Sequence, residues 1–195
     1  MDTVYVHADE SCLGNQFQDR ASPGGAGGLV ERWTGAGWER RDYWLSEPDT
    51  TNNRMALRSA IEVLRALRRR CAVHLVSDSQ YLVKGIREWL PAWKARGWTR
   101  RGGPIENLEL WRELDAELAR HEVRPRWVRG HAGHPENEYV DSLATRAAKE
   151  QSASAGLTPS DFAAWLDEQR GRGRFIDYQE STPPRERFGS GEAPR

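Results

Sequence analysis

Three aspartates are the residues of this chain best suited to chemistry. Asp9 follows the short run VYVHA, Asp78 follows AVHLVS, and Asp141 lies early in a helix-forming stretch. A carboxylate at the end of an apolar strand costs desolvation energy unless a cation or a water network compensates it. If the three meet, they make a hard, oxygen-rich site that suits Mg²⁺ or Mn²⁺ better than a soft metal. Two such ions about 3.5–4 Å apart activate a water and stabilise the leaving oxygen of a phosphodiester. Unrelated turn and cap aspartates read the same way in sequence, so spacing alone leaves both possibilities open. His131 and His134 flank Ala132-Gly133, with no Cys or His partner at zinc-ligand spacing. A loop histidine beside carboxylates can shuttle protons near neutral pH, and a merely solvated histidine looks identical.

Two further sets could hold a substrate. Asn15, Asn52, Asn53 and Gln80 sit near the aspartates in sequence and both donate and accept hydrogen bonds. Such groups suit a 2′-hydroxyl in a shallow RNA-type groove, although Asn at a helix start is also an ordinary cap. Residues 84–101 interleave Trp89, Trp93 and Trp98 with Lys84, Arg87, Lys94, Arg96, Arg100 and Arg101, opposed by Glu88 alone. Cations among aromatics suit a nucleic-acid backbone. The plainer reading is an amphipathic helix with Trp89 and Trp93 partly in the core and the cations solvated.

The elements that would position these groups follow from periodicity. Residues 4–15 read as a strand running into a polar loop, with Asp9 last before the turn. Tyr5, His7 and Asp9 share one face, and Val4, Val6 and Ala8 the other. Residues 16–28 read as a loop with Pro23-Gly24-Gly25 as its turn, and 27–33 and 38–45 as two antiparallel strands. Residues 52–70 form the clearest helix, capped by Thr51 or Asn52, with Ala56, Ala60, Val63 and Leu67 on one stripe. Residues 72–77 form a second buried strand. Strand, long helix and strand imply a parallel crossover, which brings Asp9 and Asp78 to one sheet edge. A helix over 79–90 stopped by Pro91, a helix over 107–121, a strand over 123–128 and a helix over 138–149 follow. Asp141 then falls in that last helix's first turn, where the dipole favours a negative charge. Thr158 and Pro159 read as the cap and first residue of a short helix to Arg170. Residues 171–195, rich in Gly, Pro, Arg and Glu, read as mostly disordered.

Composition sets the frame. The 195 residues are 37% hydrophobic and 30% charged with formal net charge +0, so any basic footprint is local rather than global. Cys12 and Cys71 are the two cysteines and suggest neither a disulfide framework nor a zinc cluster. There is no membrane-length apolar run and no signal-like start, so a cytoplasmic setting is expected.

The stretches ADESCLGN, PGG, TTNNRMALRSAI, VSDSQYLVKGI, WLPAWKARGW, NLELWRELDAEL and WVRGHAGHPENEYVDSLA match one family in order and spacing. Residues 4–149 resemble a type 1 ribonuclease H of the bacterial ribonuclease HI kind. The resemblance implies an α/β fold with a five-stranded mixed sheet, three strands antiparallel, over a domain of residues 1–149. Residues 150–195 are then a linker, a short helix and a tail, with truncation at 156 expected to leave the domain folded. It also implies endonucleolytic cleavage of the RNA strand of an RNA–DNA hybrid with two Mg²⁺ (or Mn²⁺) ions, by a monomer without an obligatory protein partner or a membrane. On this mapping Asp9, Asp78 and Asp141 are metal ligands, and His131 assists proton transfer and product release. Cys12, Asn15, Thr51, Asn52, Asn53 and Gln80 contact the hybrid, and the stretch holding Trp89, Trp93, Lys94 and Arg96 grips the DNA strand. Three departures stand out: Ala56 replaces the family's glutamate in NNRMEL, Glu10 replaces the glycine after the first Asp, and the loop 16–22 is long. Glu10, Asp19 and Glu138, in that order, are the candidates to supply the missing carboxylate. The rival readings are a hybrid-binding protein that does not cut, natural or inactivated at position 56, and a DNA nuclease of the same fold.

Overall fold

The structure is a computed structural model in which residues 1–14, 22–130 and 133–180 are described. Asn15, Asp19 and His131 therefore lie outside the described residues. A mixed six-stranded sheet forms the centre: β1 (Asp2–Cys12), β2 (Ser22–Trp33), β3 (Trp38–Thr50), β4 (Cys71–Ser77), β5 (Glu122–Trp127) and β6 (Thr158–Pro159), in the order β5-β4-β1-β2-β3-β6. β1 to β3 and β6 pair antiparallel, while β1, β4 and β5 run parallel. The helices are α1 (Asn52–Ala66), α2 (Gln80–Lys84), α3 (Leu90–Ala95), α4 (Leu108–Leu118), α5 (Pro135–Glu150) and α6 (Phe162–Gly171).

The α/β mixed sheet is as expected from sequence, with one strand more than the expected five. The extra strand comes from the segment read as a helix start. Thr158 and Pro159 pair with Asp42 and Arg41 of β3, and α6 begins at Phe162 behind Asp161. A proline at a sheet edge gives up no ladder bond that the sheet needs.

Alternation along β1 splits the core. Val4, Val6 and Ala8 face α1, where Met55, Leu57, Ile61 and Leu64 are essentially fully buried. The opposite face meets α5 and α6 in a second cluster of Leu29, Tyr139, Val140, Leu143, Phe162 and Leu166. Truncation at 156 would uncover that cluster, and residues 171–180, expected to be disordered, are ordered against it through Phe175 and Tyr178.

Two local readings are corrected. The Pro-Gly-Gly turn is not a turn, because β2 already begins at Ser22 and pairs with β1 from Gly24 onward. Its glycines serve close approach: a Cβ at Gly25 would lie 2.4 Å from Ala144 O and Ala148 N, so α5 lies directly on the strand backbone. Pro91 does not stop a helix either. A π-helical turn over Gly85–Trp89 widens the coil, Leu90 N–H donates to Gly85 O, and α3 continues through Pro91.

Candidate active site

The site sits where β1 outruns β4. β1 does not turn after Asp9 but pairs with β2 through Cys12, whereas its pairing with β4 ends at Ala8 and Ser77. Asp9 and Glu10 thus project beside Asp78, the residue just past β4. Carboxylate oxygens of Asp9, Glu10 and Asp78 all lie within 4.8 Å of one another. Glu10 arrives without a bulge, because the register of β1 on β2 is regular through Cys12. It stays on the α1 face, where its charge acts on Cys12 and Tyr43, and meets Asp9 across the open strand edge.

Electrostatics mark this corner. Asp9 is buried, and its pKa is pushed up to about 8, first by desolvation, then by the charge of Asp78, with a smaller push from Asp141. The Glu10 backbone N–H, 2.7 Å from Asp9 Oδ1, works the other way. Glu10 is itself raised well above the usual range by burial and by the charges of Asp9 and Asp78, partly offset by a Ser79 hydrogen bond. Burial also lifts the Cys12 thiol to about 11, so it stays protonated at neutral pH. Three oxygen donors that repel one another in a desolvated corner fit a divalent cation, whose charge would reverse each of these shifts.

The surroundings hold the acids in place. Ser77 Oγ accepts from the Ser79 N–H, and Ser79 in turn caps α2 through Leu82 N–H. Trp127 Nε1 donates to the Asp78 carbonyl at 2.9 Å. Gly130 lies flat on the Asp78 carboxylate, where a Cβ would come within 2.3 Å of Oδ2. Asn137 Nδ2 donates to Asp9 Oδ2 at 3.4 Å from the first turn of α5. Sequence reasoning passed over Asn137, Ser79 and Gly130. The only available signal was their position beside Asp78 or in the RGHAGHPEN loop.

Other expected residues are placed as follows. Asp141 is not within the 4.8 Å group, although its charge reaches Asp9. It lies in the second turn of α5 rather than the first, because the helix starts at Pro135, and it borders a shallow groove with Ser142, Thr145 and Arg146. Thr51 caps α1 by accepting from Arg54 N–H. Asn52 Oδ1 is buried without a hydrogen-bond partner among the described residues, and Gln80 is exposed. Ala56 is 1% exposed within the α1 core. Glu138 is ion-paired to Arg174 and is not in the 4.8 Å group. Trp93 is buried edge-on against Trp111, at 5.5 Å between centroids, and Trp89 is half-buried beside it. Lys94, expected to be free in solvent, is exposed but paired with Asp115 at 2.7 Å, while Arg96 is exposed.

Residues 1–149 match the family described as RNase H. The ribonuclease H of Stutzerimonas stutzeri is 49% identical over 146 residues, covering 74% of this chain and 91% of that protein. That of Alkalilimnicola ehrlichii is 49% identical over 156 residues, covering 80% of this chain and all of that protein. Among solved structures, LC9-RNase H1, described as a type 1 RNase H with the type 2 active-site motif, superposes with a TM-score of 0.85 at 44% identity. That match covers 99% of this chain and 93% of its own.

Proposed function

Because the chain belongs to the RNase H family, we propose that it hydrolyses the RNA strand of RNA–DNA hybrids endonucleolytically, with Glu10 completing a carboxylate set that lacks a glutamate at position 56. It is an enzyme, a ribonuclease H. The observation that carries the reading is the approach of Asp9, Glu10 and Asp78 to within 4.8 Å. The likeness to LC9-RNase H1, a type 1 RNase H with the type 2 active-site motif, supports a rearranged acid set here too.

Two Mg²⁺ or Mn²⁺ ions would supply water activation and charge stabilisation on the leaving oxygen. Asp9, Glu10 and Asp78 would hold them, with Asp141 approaching from α5. Asn137 keeps the Asp9 carboxylate turned toward the corner, and Ser79 does the same for Glu10. His131 takes the proton-transfer role. Asn52, whose buried Oδ1 has no hydrogen-bond partner among the described residues, joins Cys12, Asn15, Thr51, Asn53 and Gln80 in reading the hybrid's minor groove. Trp89 and the exposed Arg96, with Lys94, bind the DNA strand's backbone, and the buried Trp93 supports Trp89 from beneath.

Labelled hybrid incubated with Mg²⁺ or Mn²⁺ tests this directly. Cleavage is expected in the RNA strand, Glu10→Gln should lower its rate by about 10–100-fold, and Ala56→Glu should give no gain. A large gain with Ala56→Glu would mean that Glu10 is not the replacement. The apolar burial of Ala56 favours one alternative, a protein that binds hybrids without cutting. It predicts tight, salt-sensitive binding and no turnover with any metal.

A further inference from the structure

We infer that the segment from Thr158 to Glu180, beyond the family's domain, braces the first turn of α5, and that Arg174 and Tyr178 are positioning residues for metal-dependent cleavage. The inference rests on the proposed hydrolysis. Its carrying observation is a pair of contacts on consecutive acidic positions of that turn. The Tyr178 hydroxyl donates to Glu136, and the Arg174 guanidinium pairs with Glu138.

The turn needs such support. α5 begins at Pro135 behind His134, whose side chain makes no capping bond. Yet this turn carries Asn137, whose amide holds Asp9 Oδ2, and one turn later Asp141, whose charge reaches Asp9. A shift of the turn moves both groups relative to the carboxylates.

The brace is anchored well enough to act on α5. Phe162 is fully buried and Leu166 nearly so, against Leu29, Tyr139 and Leu143. Asp42 of β3 ties the two elements together, accepting from Tyr139 Oη at 2.5 Å and from Asp161 N–H at 3.2 Å. Beyond α6, Phe175 adopts φ 53°, the left-handed turn that reverses the chain. Tyr178 O then accepts from Arg170 at 3.0 Å, and Gln169 holds Arg174 at 2.8 Å. Both contact residues are thus fixed to α6 before they reach α5. The superposition on LC9-RNase H1 covers 99% of this chain, so the likeness does not end at the domain boundary.

The test compares Tyr178→Phe, Arg174→Gln and the double variant in the full chain, with Arg172→Gln as control, since its exposed pair with Glu168 lies away from α5. In the double variant the Mg²⁺ concentration for half-maximal cleavage should rise about 5-fold, below the 10–100-fold typical of groups bonded directly to ligands. The rate constant kcat should fall about as much, with KM for the hybrid unmoved. Amide exchange over residues 135–141 should accelerate by about 10-fold while β1 and β4 keep their protection. A fall in Tm with unchanged Mg²⁺ dependence and unchanged exchange in that turn would overturn the inference, leaving the segment a stabilising cover. Should the unaltered chain cut no hybrid under any metal, the proposed hydrolysis fails instead. Exchange over 135–141, together with calorimetric Mn²⁺ affinity, then decides the brace alone.

Discussion

Two groups of buried charge lie on the same face of β1, two residues apart, and they are solved in opposite ways. At His7 the charges are matched. Its Nε2 meets Glu31 Oε2 at 3.1 Å, Arg40 Nε donates to Glu31 Oε1 at 2.9 Å, and Arg40 reaches Glu180 at 2.7 Å. Glu31 is completely buried, yet both oxygens are bonded. At Asp9 the neighbours are the carboxylates of Glu10 and Asp78, and burial together with like charge pushes the pKa values of Asp9 and Glu10 up. A buried acid with matched partners is part of the fold, and clustered acids that push one another's pKa up are a candidate cation site.

The contrast predicts opposite results for removing a charge. Asp9→Asn should lower hybrid cleavage by about 10³-fold or more, the scale of losing a group that acts on the transition state, about 4 kcal/mol. The same change should make the metal-free protein more stable. With its pKa raised to about 8 in the folded state, Asp9 favours folding fully at low pH and loses that contribution as pH rises through 8. The gain from Asp9→Asn should therefore be larger at pH 9 than at pH 5, about 2 kcal/mol or more, seen as about 5 °C in Tm. A drop in Tm at pH 9 would mean that the corner is already compensated within the chain.

Glu31→Ala should do the reverse. It leaves Arg40 and His7 buried without their shared carboxylate, which costs about 3–5 kcal/mol. Urea unfolding measures the loss. Cleavage per folded molecule should change little, because neither Glu31 nor Arg40 touches the carboxylate corner. Equal stability in the variant would show that the chain from His7 to Glu180 is surface decoration, and the comparison would fail.

How much of this was legible beforehand depends on range. Asp9 and Asp78 could be read because each closes an apolar run, and a strand, a helix and a strand imply parallel neighbours. Glu10 was readable only as the first candidate. Its arrival at the corner depends on β1 outrunning β4, a register that no local pattern encodes. Gly25 and Gly27 misled because the reason for those glycines, the backbone of α5, lies more than a hundred residues away. Pro91 misled because the π turn that admits it is tied to Gly85, where a Cβ would come within 1.9 Å of Trp111. Thr158-Pro159 carried the marks of a helix start, and pairing with β3 overrode them. The Glu31–Arg40 link joins facing positions of adjacent strands and appears only once those strands are paired.

A third titratable group, partly buried, sharpens the comparison at its small end. His74 stacks on Tyr5 at 4.9 Å and 12° between planes, and its pKa is lowered to about 4, first by burial, then by Arg126 and Arg124. Where the acidic corner calls for a cation, this place rejects one. A depressed folded pKa means that the neutral imidazole's contribution is complete above pH 6.5 and is lost as pH falls from 6.5 toward 4. His74→Phe keeps a ring on Tyr5 and removes the proton site, so it should flatten the acid limb of stability against pH while changing little at pH 8. Denaturant midpoints taken at pH 4.5, 5.5, 6.5 and 8 measure that slope, and identical slopes in both proteins would show that the imidazole already carries its proton in the fold.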